Sequence, residues 1–360
     1  MSDELTLAPS SVGLQGLTKN YGETPAVRDV DLDIWAGEFM TFLGPSGSGK
    51  TTTLNMIAGF VEPTNGDVLI DGQSVRAVPT HKRGMGMVFQ GYALFPHLSV
   101  GDNVGFPLKR RGIAKKKRRQ LVEEALGTVE LDGFADRSPQ ELSGGQQQRV
   151  SLARAIVYRP PVLLMDDPLG ALDKRLRDAL QEEIRAIHRQ VGTTFVYVTH
   201  DQEEALSLSD RIAVYNHGGI EQVGTPRDLY DRPATLFVAR FLGESTLLCG
   251  VVDTPDLSVL RTGSRRIPVT NPNKVTGAAI AMIRPERLRL LPLGDPTGVL
   301  EIRVQSETYL GHVRKLGISL PDGTAGVVSE SPGLASTVVP GDSALLAWDV
   351  ADAVVLPGEE

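Results

Sequence analysis

The segment Gly44-Pro-Ser-Gly-Ser-Gly-Lys-Thr51 decides the fold of this chain, because it matches the pattern G-x-x-x-x-G-K-[S/T] of a phosphate-binding loop. A strand pattern at residues 38–43 precedes the loop, and a helix pattern runs from Lys50 to about Ala58. Gly59 is placed to end that helix. This order of strand, loop and helix predicts an α/β domain with a nucleotide site at the end of a buried strand.

The residue types in the loop fit the chemistry of a phosphate site. Glycines let the backbone approach closely, so that N–H groups point at phosphate oxygens, and the helix N-terminus adds positive potential. We expect Lys50 to neutralise the β- and γ-phosphates of ATP and the Thr51 hydroxyl to bind Mg²⁺. The residues predicted to contact the nucleotide in this segment are Gly44, Pro45, Ser46, Gly47, Ser48, Gly49, Lys50, Thr51 and Thr52.

A second apolar run, Val162-Leu-Leu-Met165, ends in Asp166 and Asp167. It predicts a buried parallel strand whose carboxyl end carries both carboxylates, where ligands bind in open α/β folds. We expect Asp166 to hold Mg²⁺ through water and Asp167 to face the water that attacks the γ-phosphate. The alternative is a pair of solvated loop aspartates.

A third motif, Leu142-Ser-Gly-Gly-Gln146, opens a predicted helix that continues through Ile156. The free N–H groups of its first turn form an anion site that has no lysine of its own. Such a site suits a γ-phosphate that another subunit already holds. The contacts are assigned to Ser143, Gly144, Gly145 and Gln146, and they predict two ATP molecules enclosed between two copies of the chain.

With these motifs in this order, the chain resembles the ATPase subunits of ATP-binding-cassette (ABC) importers. It is most similar to the group that serves spermidine/putrescine, ferric iron and related solutes, over about residues 12–355. The resemblance implies that a homodimer binds and hydrolyses MgATP and drives two transmembrane permease subunits, with a solute-binding protein as an indirect partner. It also implies a peripheral position on the cytoplasmic face of the inner membrane. The solute itself stays open.

The resemblance assigns further site residues. Tyr21 falls where the family stacks a ring on adenine, although a strand tyrosine is often a core residue. Gln90 corresponds to the glutamine that reaches the metal and the attacking water. Asp173, in Ala171-Leu-Asp173, belongs to the loop that crosses the dimer. His200 ends a predicted strand and corresponds to the histidine on the γ-phosphate, against the alternative of a structural histidine.

The chain departs from the family pattern at Asp167, where glutamate is usual, and more mildly at Gly91 and Gly170. Aspartate is one methylene shorter, and a misplacement of about 1 Å can slow a reaction by about 10²-fold. This leaves open an ATP-gated regulatory subunit with weak hydrolysis. A third hypothesis is a non-transport ATPase acting on ribosomes or DNA. It fits less well, because such proteins usually carry tandem cassettes or a long coiled-coil insertion.

Composition agrees with the importer hypothesis. The 360 residues are 41% hydrophobic, and the formal net charge of −7 argues against a nucleic-acid partner. One cysteine, Cys249, excludes an internal disulfide framework. The sequence shows neither a secretory signal pattern nor an apolar stretch of membrane-spanning length. The basic run at residues 115–119 is interpreted as a solvated helix face, with anionic lipid headgroups as the alternative.

We predict a flexible tail at residues 1–11, an ABC-type ATPase domain at 12–243 with a helical subdomain at 98–160, and an accessory domain at 244–360. Helices are predicted at 174–191, ended by Gly192, and at 227–241. The accessory domain reads as a small all-β, OB-like barrel. Its segments Ile283-Arg-Pro-Glu286 and Glu307-Thr-Tyr-Leu-Gly311 resemble the family's C-terminal TOBE domain. We expect the accessory domain to support the dimer or to take part in regulation, since it lacks the aromatic and basic stripe of a nucleic-acid binder.

Overall fold

The computed structural model describes residues 8–170, 172–254, 259–263 and 265–358. The chain divides into two compact units, residues 1–226 and 227–360, each described by itself below. The boundary predicted at residue 243 stays a prediction. Within the range predicted as a tail, residues 1–7 lie outside the described residues, whereas Ser10 is buried and its backbone N–H bonds to the carbonyl of Pro161.

The first unit contains ten strands and six helices among its described residues. In chain order these are β1 (Val12–Tyr21), β2 (Thr24–Ile34), β3 (Phe39–Leu43), α1 (Lys50–Ala58), β4 (Asn65–Ile70), β5 (Gln73–Ser74), β6 (Gly86–Val88), α2 (Val100–Arg110), α3 (Lys115–Thr128), α4 (Gly144–Ile156), β7 (Val162–Asp166), α5 (Lys174–Val191), β8 (Thr194–Thr199), α6 (Gln202–Leu208), β9 (Arg211–Asn216) and β10 (Gly219–Gly224).

Two sheets organise this unit. Strands β2-β1-β4-β5 form an antiparallel sheet, and strands β10-β9-β3-β8-β7-β6 form a sheet that is parallel except for β10. Neighbouring side chains in the central strands point into two different cores: Leu163 packs with helices α2 to α5, and Leu164 packs with α1 and the antiparallel sheet. Burial on both faces explains why these strands read as continuous apolar runs.

The local signals for helix ends are confirmed. Helix α1 spans the predicted range and ends at Gly59, and α5 spans the predicted range and ends at Gly192; both glycines adopt the left-handed conformation. Helices α2, α3 and α4 form the predicted helical subdomain, and the Ser99 hydroxyl caps α2 by accepting from the N–H of Asp102 at 3.1 Å. Among the described residues, no helix is both long and apolar enough to cross a membrane.

The second unit combines two short helices with two five-stranded antiparallel sheets, ordered β13-β12-β11-β14-β20 and β15-β19-β16-β17-β18. Its elements are α7 (Pro226–Asp231), α8 (Leu236–Phe241), β11 (Thr246–Val252), β12 (Val259–Thr262), β13 (Arg265–Pro268), β14 (Gly277–Ile283), β15 (Arg289–Leu291), β16 (Leu300–Tyr309), β17 (Arg314–Ser319), β18 (Ala325–Glu330), β19 (Ser343–Ala347) and β20 (Val354–Pro357). The predicted all-β module is confirmed.

The single helical stretch predicted at residues 227–241 is wrong. Pro233 lies in its middle, and proline removes a helical hydrogen bond and clashes with the preceding turn, so the chain forms α7 and α8 instead. The buried guanidinium of Arg284 joins both helices to the sheet. It donates to the carbonyls of Tyr230 and Ala239 at 2.9 Å each.

Candidate nucleotide site

The phosphate loop lies between β3 and α1, as predicted. Gly49 has a φ of 102°, and a Cβ there would lie 2.6 Å from the carbonyl oxygen of Ala26, so only glycine fits. The Lys50 ammonium donates to the carbonyls of Gly44 and Pro45 at 2.7 and 2.8 Å. Burial lowers the pKa of Lys50, and the carboxylates of Asp167 and Asp166 oppose that shift. The Lys50 side chain is thus held at the loop by the carbonyls of Gly44 and Pro45.

The Thr51 hydroxyl donates to Asp166 Oδ1 at 2.8 Å, joining the start of α1 to the end of β7. Burial raises the pKa of Asp166, and the hydrogen bond from Thr51 opposes the shift. A hydroxyl and a carboxylate are hard oxygen donors of the kind Mg²⁺ takes, usually with waters and substrate phosphates completing its shell. Among the described residues, no cluster of three or more His, Cys, Asp or Glu side chains could hold a metal ion. The chemistry of the Thr51 hydroxyl and the Asp166 carboxylate fits Mg²⁺.

Asp167 stands at the centre of the polar groups. Its backbone is left-handed, with a φ of 43°, and its N–H bonds to the carbonyl of Val198 at 2.9 Å. Its Oδ2 accepts from Gln90 Nε2 at 3.1 Å and lies 3.5 Å from His200 Nδ1. Burial raises the pKa of Asp167, and the charges of His200 and then Lys50 are the largest opposing effects. Gln90 and His200, assigned by the resemblance, therefore both contact Asp167, which was predicted from its place at the end of a strand.

These groups line one cleft of about 290 Å³. The lining residues are Ser46, Gly47, Ser48, Gly49, Lys50, Thr51, Thr52, Gln90, Asp166, Asp167, Val198, Thr199 and His200. They come from the carboxyl ends of the neighbouring strands β3, β8, β7 and β6. This is the edge at which open α/β sheets bind ligands, and it is why residues more than a hundred positions apart in the chain meet.

Tyr21 and Asp173 are not among the residues that line this cleft. Tyr21 ends β1 with 54% of its surface exposed, and the Lys19 ammonium lies 5.2 Å from its ring centroid. Asp173 caps α5, where its carboxylate accepts from the N–H of Leu176 at 3.1 Å. Ala171 of the predicted crossing loop lies outside the described residues. The contacts predicted for Tyr21 and Asp173 stay predictions.

The signature residues also lie away from the cleft lining. Ser143 caps α4: its hydroxyl accepts from the N–H of Gln146, whose side chain accepts from the N–H of Ser143 at 3.0 Å. A Cβ at Gly145 would lie 2.9 Å from the side chain of Leu176, so this glycine lets α4 pack closely on α5. The predicted helix start is confirmed. The signature residues therefore do not take part in the nucleotide cleft of their own chain.

Two residues of α4 that the sequence did not indicate hold the segment after Gln90. Ser151 Oγ and Arg154 Nη2 donate to the carbonyl of Tyr92 at 3.0 and 2.8 Å, and Arg154 Nη1 donates to the carbonyl of Ala93 at 2.7 Å. Tyr92 and Ala93 are both left-handed, with φ of 59° and 49°. No sequence pattern gives this contact, because the partners are about sixty residues apart and the acceptors are backbone carbonyls.

Arg177, on the first turns of α5, is a second such residue. It donates to the carbonyl of Leu172 at 3.0 Å and to Asp201 Oδ2 at 2.9 Å. Asp201 follows His200 directly, so one guanidinium connects the loop before α5 with the end of β8. The cation at the N-terminal end of a helix, where the dipole disfavours it, is the only local signal for this role.

Comparison with known proteins agrees with this geometry. A family model described as ABC transporter matches residues 27–170, and one described as TOBE domain matches residues 281–356. The spermidine/putrescine import ATP-binding protein PotA of Rubrobacter xylanophilus is 48% identical over 98% of this chain and 95% of its own length. The protein of the same name from Thermobifida fusca is 45% identical over 99% of this chain and 96% of its own length.

Solved structures resemble the first unit. The dimeric bacterial ABC transporter cassette MJ0796 is 37% identical, with a TM-score of 0.55 over 60% of this chain and 99% of its own. A dimeric post-hydrolysis state of the same cassette, bound to ADP and Pi, is 36% identical with a TM-score of 0.54 over 60% of this chain and 99% of its own. With relatives this similar over nearly its whole length, the chain belongs to the ATP-hydrolysing subunits of ABC transporters.

Proposed function

We propose that this chain is the motor subunit of an ABC importer, that two copies enclose two MgATP molecules, and that hydrolysis drives uptake of a polyamine through two permease subunits. The proposal depends on one observation: the same cleft is lined by the phosphate loop, Asp166, Asp167, Gln90 and His200. Polyamines are the solute class of choice because the similar relatives are named for spermidine/putrescine import. The subunit would work at the cytoplasmic face of the inner membrane, bound to the permeases.

In this proposal the phosphates of ATP lie along the loop, with Lys50 and the N–H groups of α1 against their negative charge. Thr51 and Asp166 hold the magnesium ion, which when bound shields the phosphate charge. Gln90 orients a water molecule, and Asp167 accepts its proton as the new bond to the γ-phosphorus forms and the bond to the β-phosphate oxygen breaks. His200 lies 3.5 Å from Asp167 and donates to the γ-phosphate.

A second copy completes the site. The signature helix α4 begins at Gly144, and its first residues are not among those that line the chain's own cleft. An anion site without a lysine matches a γ-phosphate already bound elsewhere. The similar cassette MJ0796 is a dimer, which supports the same arrangement. ATP would therefore act as part of the interface, and its hydrolysis would release the two copies.

The test is transport by the reconstituted system. The chain is reconstituted with a permease pair and a solute-binding protein from a spermidine/putrescine import system, and ATP-dependent uptake of labelled spermidine into proteoliposomes is measured. Ferric iron serves as the comparison solute. Spermidine uptake that Asp167→Asn abolishes is the expected result; uptake of iron alone would overturn the solute class. ATP-driven dimerisation with negligible hydrolysis, with or without permease, would favour the regulatory alternative.

A further inference from the structure

We infer that Gly170 is a positioning residue for ATP hydrolysis: the absence of a side chain at position 170 leaves the space in which the Asp167 carboxylate lies against Gln90 and His200. The inference rests on the catalytic role proposed above for Asp167. It adds a residue outside the cleft lining and explains how an aspartate is held at this point of the site.

The distances are short. A Cβ built on Gly170 would lie 2.5 Å from Asp167 Oδ2, and 2.9 Å from both its Cγ and its Oδ1. Contacts below 3.0 Å essentially never occur at real Cβ atoms, so the carboxylate would have to leave its place. The backbone of Gly170 is not left-handed, so its conformation alone does not demand glycine. The occupied space is what excludes a side chain.

The Asp167 carboxylate cannot move without losing its contacts with Gln90 and His200. Its backbone N–H is fixed to the carbonyl of Val198 at 2.9 Å, and its side chain has only two rotatable bonds. Oδ2 is the atom that accepts from Gln90 at 3.1 Å and lies 3.5 Å from His200. Oδ1 is buried and has no hydrogen-bond partner among the described residues, so that side of the carboxylate is closed to solvent. The atom nearest to an added methyl group, Oδ2, is the one that Gln90 binds, so a methyl group at position 170 displaces the acceptor of that hydrogen bond.

The expected consequence is specific to the chemical step. Gly170 is not among the residues that line the cleft, and Lys50 and Thr51 keep their places. Affinity for MgATP should thus be retained. A displacement of the base by about 1 Å is enough to slow the reaction by about 10²-fold, because proton transfer needs hydrogen-bond geometry.

The experiment compares kcat, KM for MgATP and nucleotide affinity in the purified full-length chain and in Gly170→Ala. We expect kcat to fall by about 10²-fold while KM and affinity change little. The matched control is Gly333→Ala, where the added methyl meets no atom within 4 Å. In the Asp167→Asn background the base is already lost, so Gly170→Ala should cause no further loss of kcat.

Each possible result either supports or overturns the inference. A normal kcat in Gly170→Ala overturns the inference, and so does an equal further loss in the Asp167→Asn background, because Gly170 would then act by another route. Normal hydrolysis by Asp167→Asn alone overturns the proposed catalytic role first. If Gly170→Ala is too unstable to assay, its melting temperature should recover in Asp167→Ala, which removes the clashing carboxylate; failure to recover overturns the inference.

Discussion

Thr51 and Asp166 are joined through their side-chain oxygens, 2.8 Å apart, although 115 positions separate them in the chain. The contact ties the first residues of α1 to the end of β7. In the proposed site the same two oxygens hold Mg²⁺, so the hydrogen bond fixes them near each other in advance. Because these metal-binding oxygens are already held close together, less free energy is lost in ordering the two side chains when the ion binds.

Asp166→Asn should therefore raise the Mg²⁺ concentration needed for half-maximal hydrolysis by about 10- to 100-fold, the range found when metal-site partners are changed. The amide keeps the shape but loses the negative charge. The measurement is a Mg²⁺ titration of ATPase activity, with Asp228→Asn in the second unit as the control. An unchanged Mg²⁺ requirement would remove Asp166 from the metal site.

Lys50→Ala tests the phosphate loop. The ammonium is a charge-assisted donor, and losing it should cost about 1.5–3 kcal/mol, or about 10- to 150-fold in MgATP affinity. Affinity is measured by displacement of a fluorescent nucleotide. Lys109→Ala, at an exposed lysine near the end of α2, is the control. Unchanged affinity in Lys50→Ala would contradict the assignment of the loop.

Ser143→Arg tests the enclosed dimer. In the Asp167→Asn background, which stops turnover, MgATP should convert the chain into closed dimers, seen by light scattering. The arginine removes the cap of α4 and fills the space in which the second copy's γ-phosphate would bind, so dimers should not form while each monomer still binds ATP. Gln120→Arg, on the exposed face of α3, is the control. Dimers in Ser143→Arg would place the interface elsewhere.

Arg154→Gln tests the link between α4 and the segment after Gln90. We expect residues 90–97 to dock a cytoplasmic helix of the permease, and Arg154 holds the carbonyls of Tyr92 and Ala93 within that segment. Arg154→Gln should weaken the coupling by about 0.5–2 kcal/mol. The ratio of spermidine transported to ATP hydrolysed should then fall by about 2- to 30-fold. Both rates are measured in the same proteoliposomes, with Arg110→Gln as the control. An unchanged ratio would argue against this route of coupling.

Local signals in the sequence predicted several elements directly. Helix α1 and helix α5 have their predicted bounds, because a glycine marks the end of each. The convergence of Lys50, Asp166 and His200 was also predictable, since each follows a strand of one parallel sheet. The helix predicted at residues 227–241 followed from the family resemblance, and Pro233 divides that stretch into two helices.

What could not be predicted depends on packing between distant segments. The contacts of Arg154 with Tyr92 and Ala93 end on backbone carbonyls, which no residue pattern indicates. Arg177 contacts both the carbonyl of Leu172 and the carboxylate of Asp201, and these partners come from two different loops. Gly170 was noticed only as a departure from a family pattern. Its meaning appears when the position of its absent Cβ is measured against the Asp167 carboxylate.

The shorter carboxylate at position 167 gives the sharpest prediction for the site. Its hydrogen bond from Gln90 at 3.1 Å and the space at Gly170 indicate surroundings adapted to aspartate. Asp167→Asn should lower kcat by about 10²- to 10⁴-fold, the usual contribution of a general base. Asp167→Glu should retain a base, but its longer side chain should carry the carboxylate past Gln90. We expect kcat to fall by no more than about 10-fold, which is less than the loss of about 10²-fold that a misplacement of about 1 Å can cause.

Steady-state ATPase rates at saturating MgATP measure both variants, with nucleotide affinity as the check that binding is intact. A rate increase in Asp167→Glu would mean that aspartate falls short of the attacking water and that the site is not adapted to it. If Asp167→Asn has little effect on the rate, then His200, Gln90 or the substrate phosphate itself acts as the base. The order expected here, aspartate above glutamate and glutamate far above asparagine, requires both a base at this position and a backbone set for the shorter side chain.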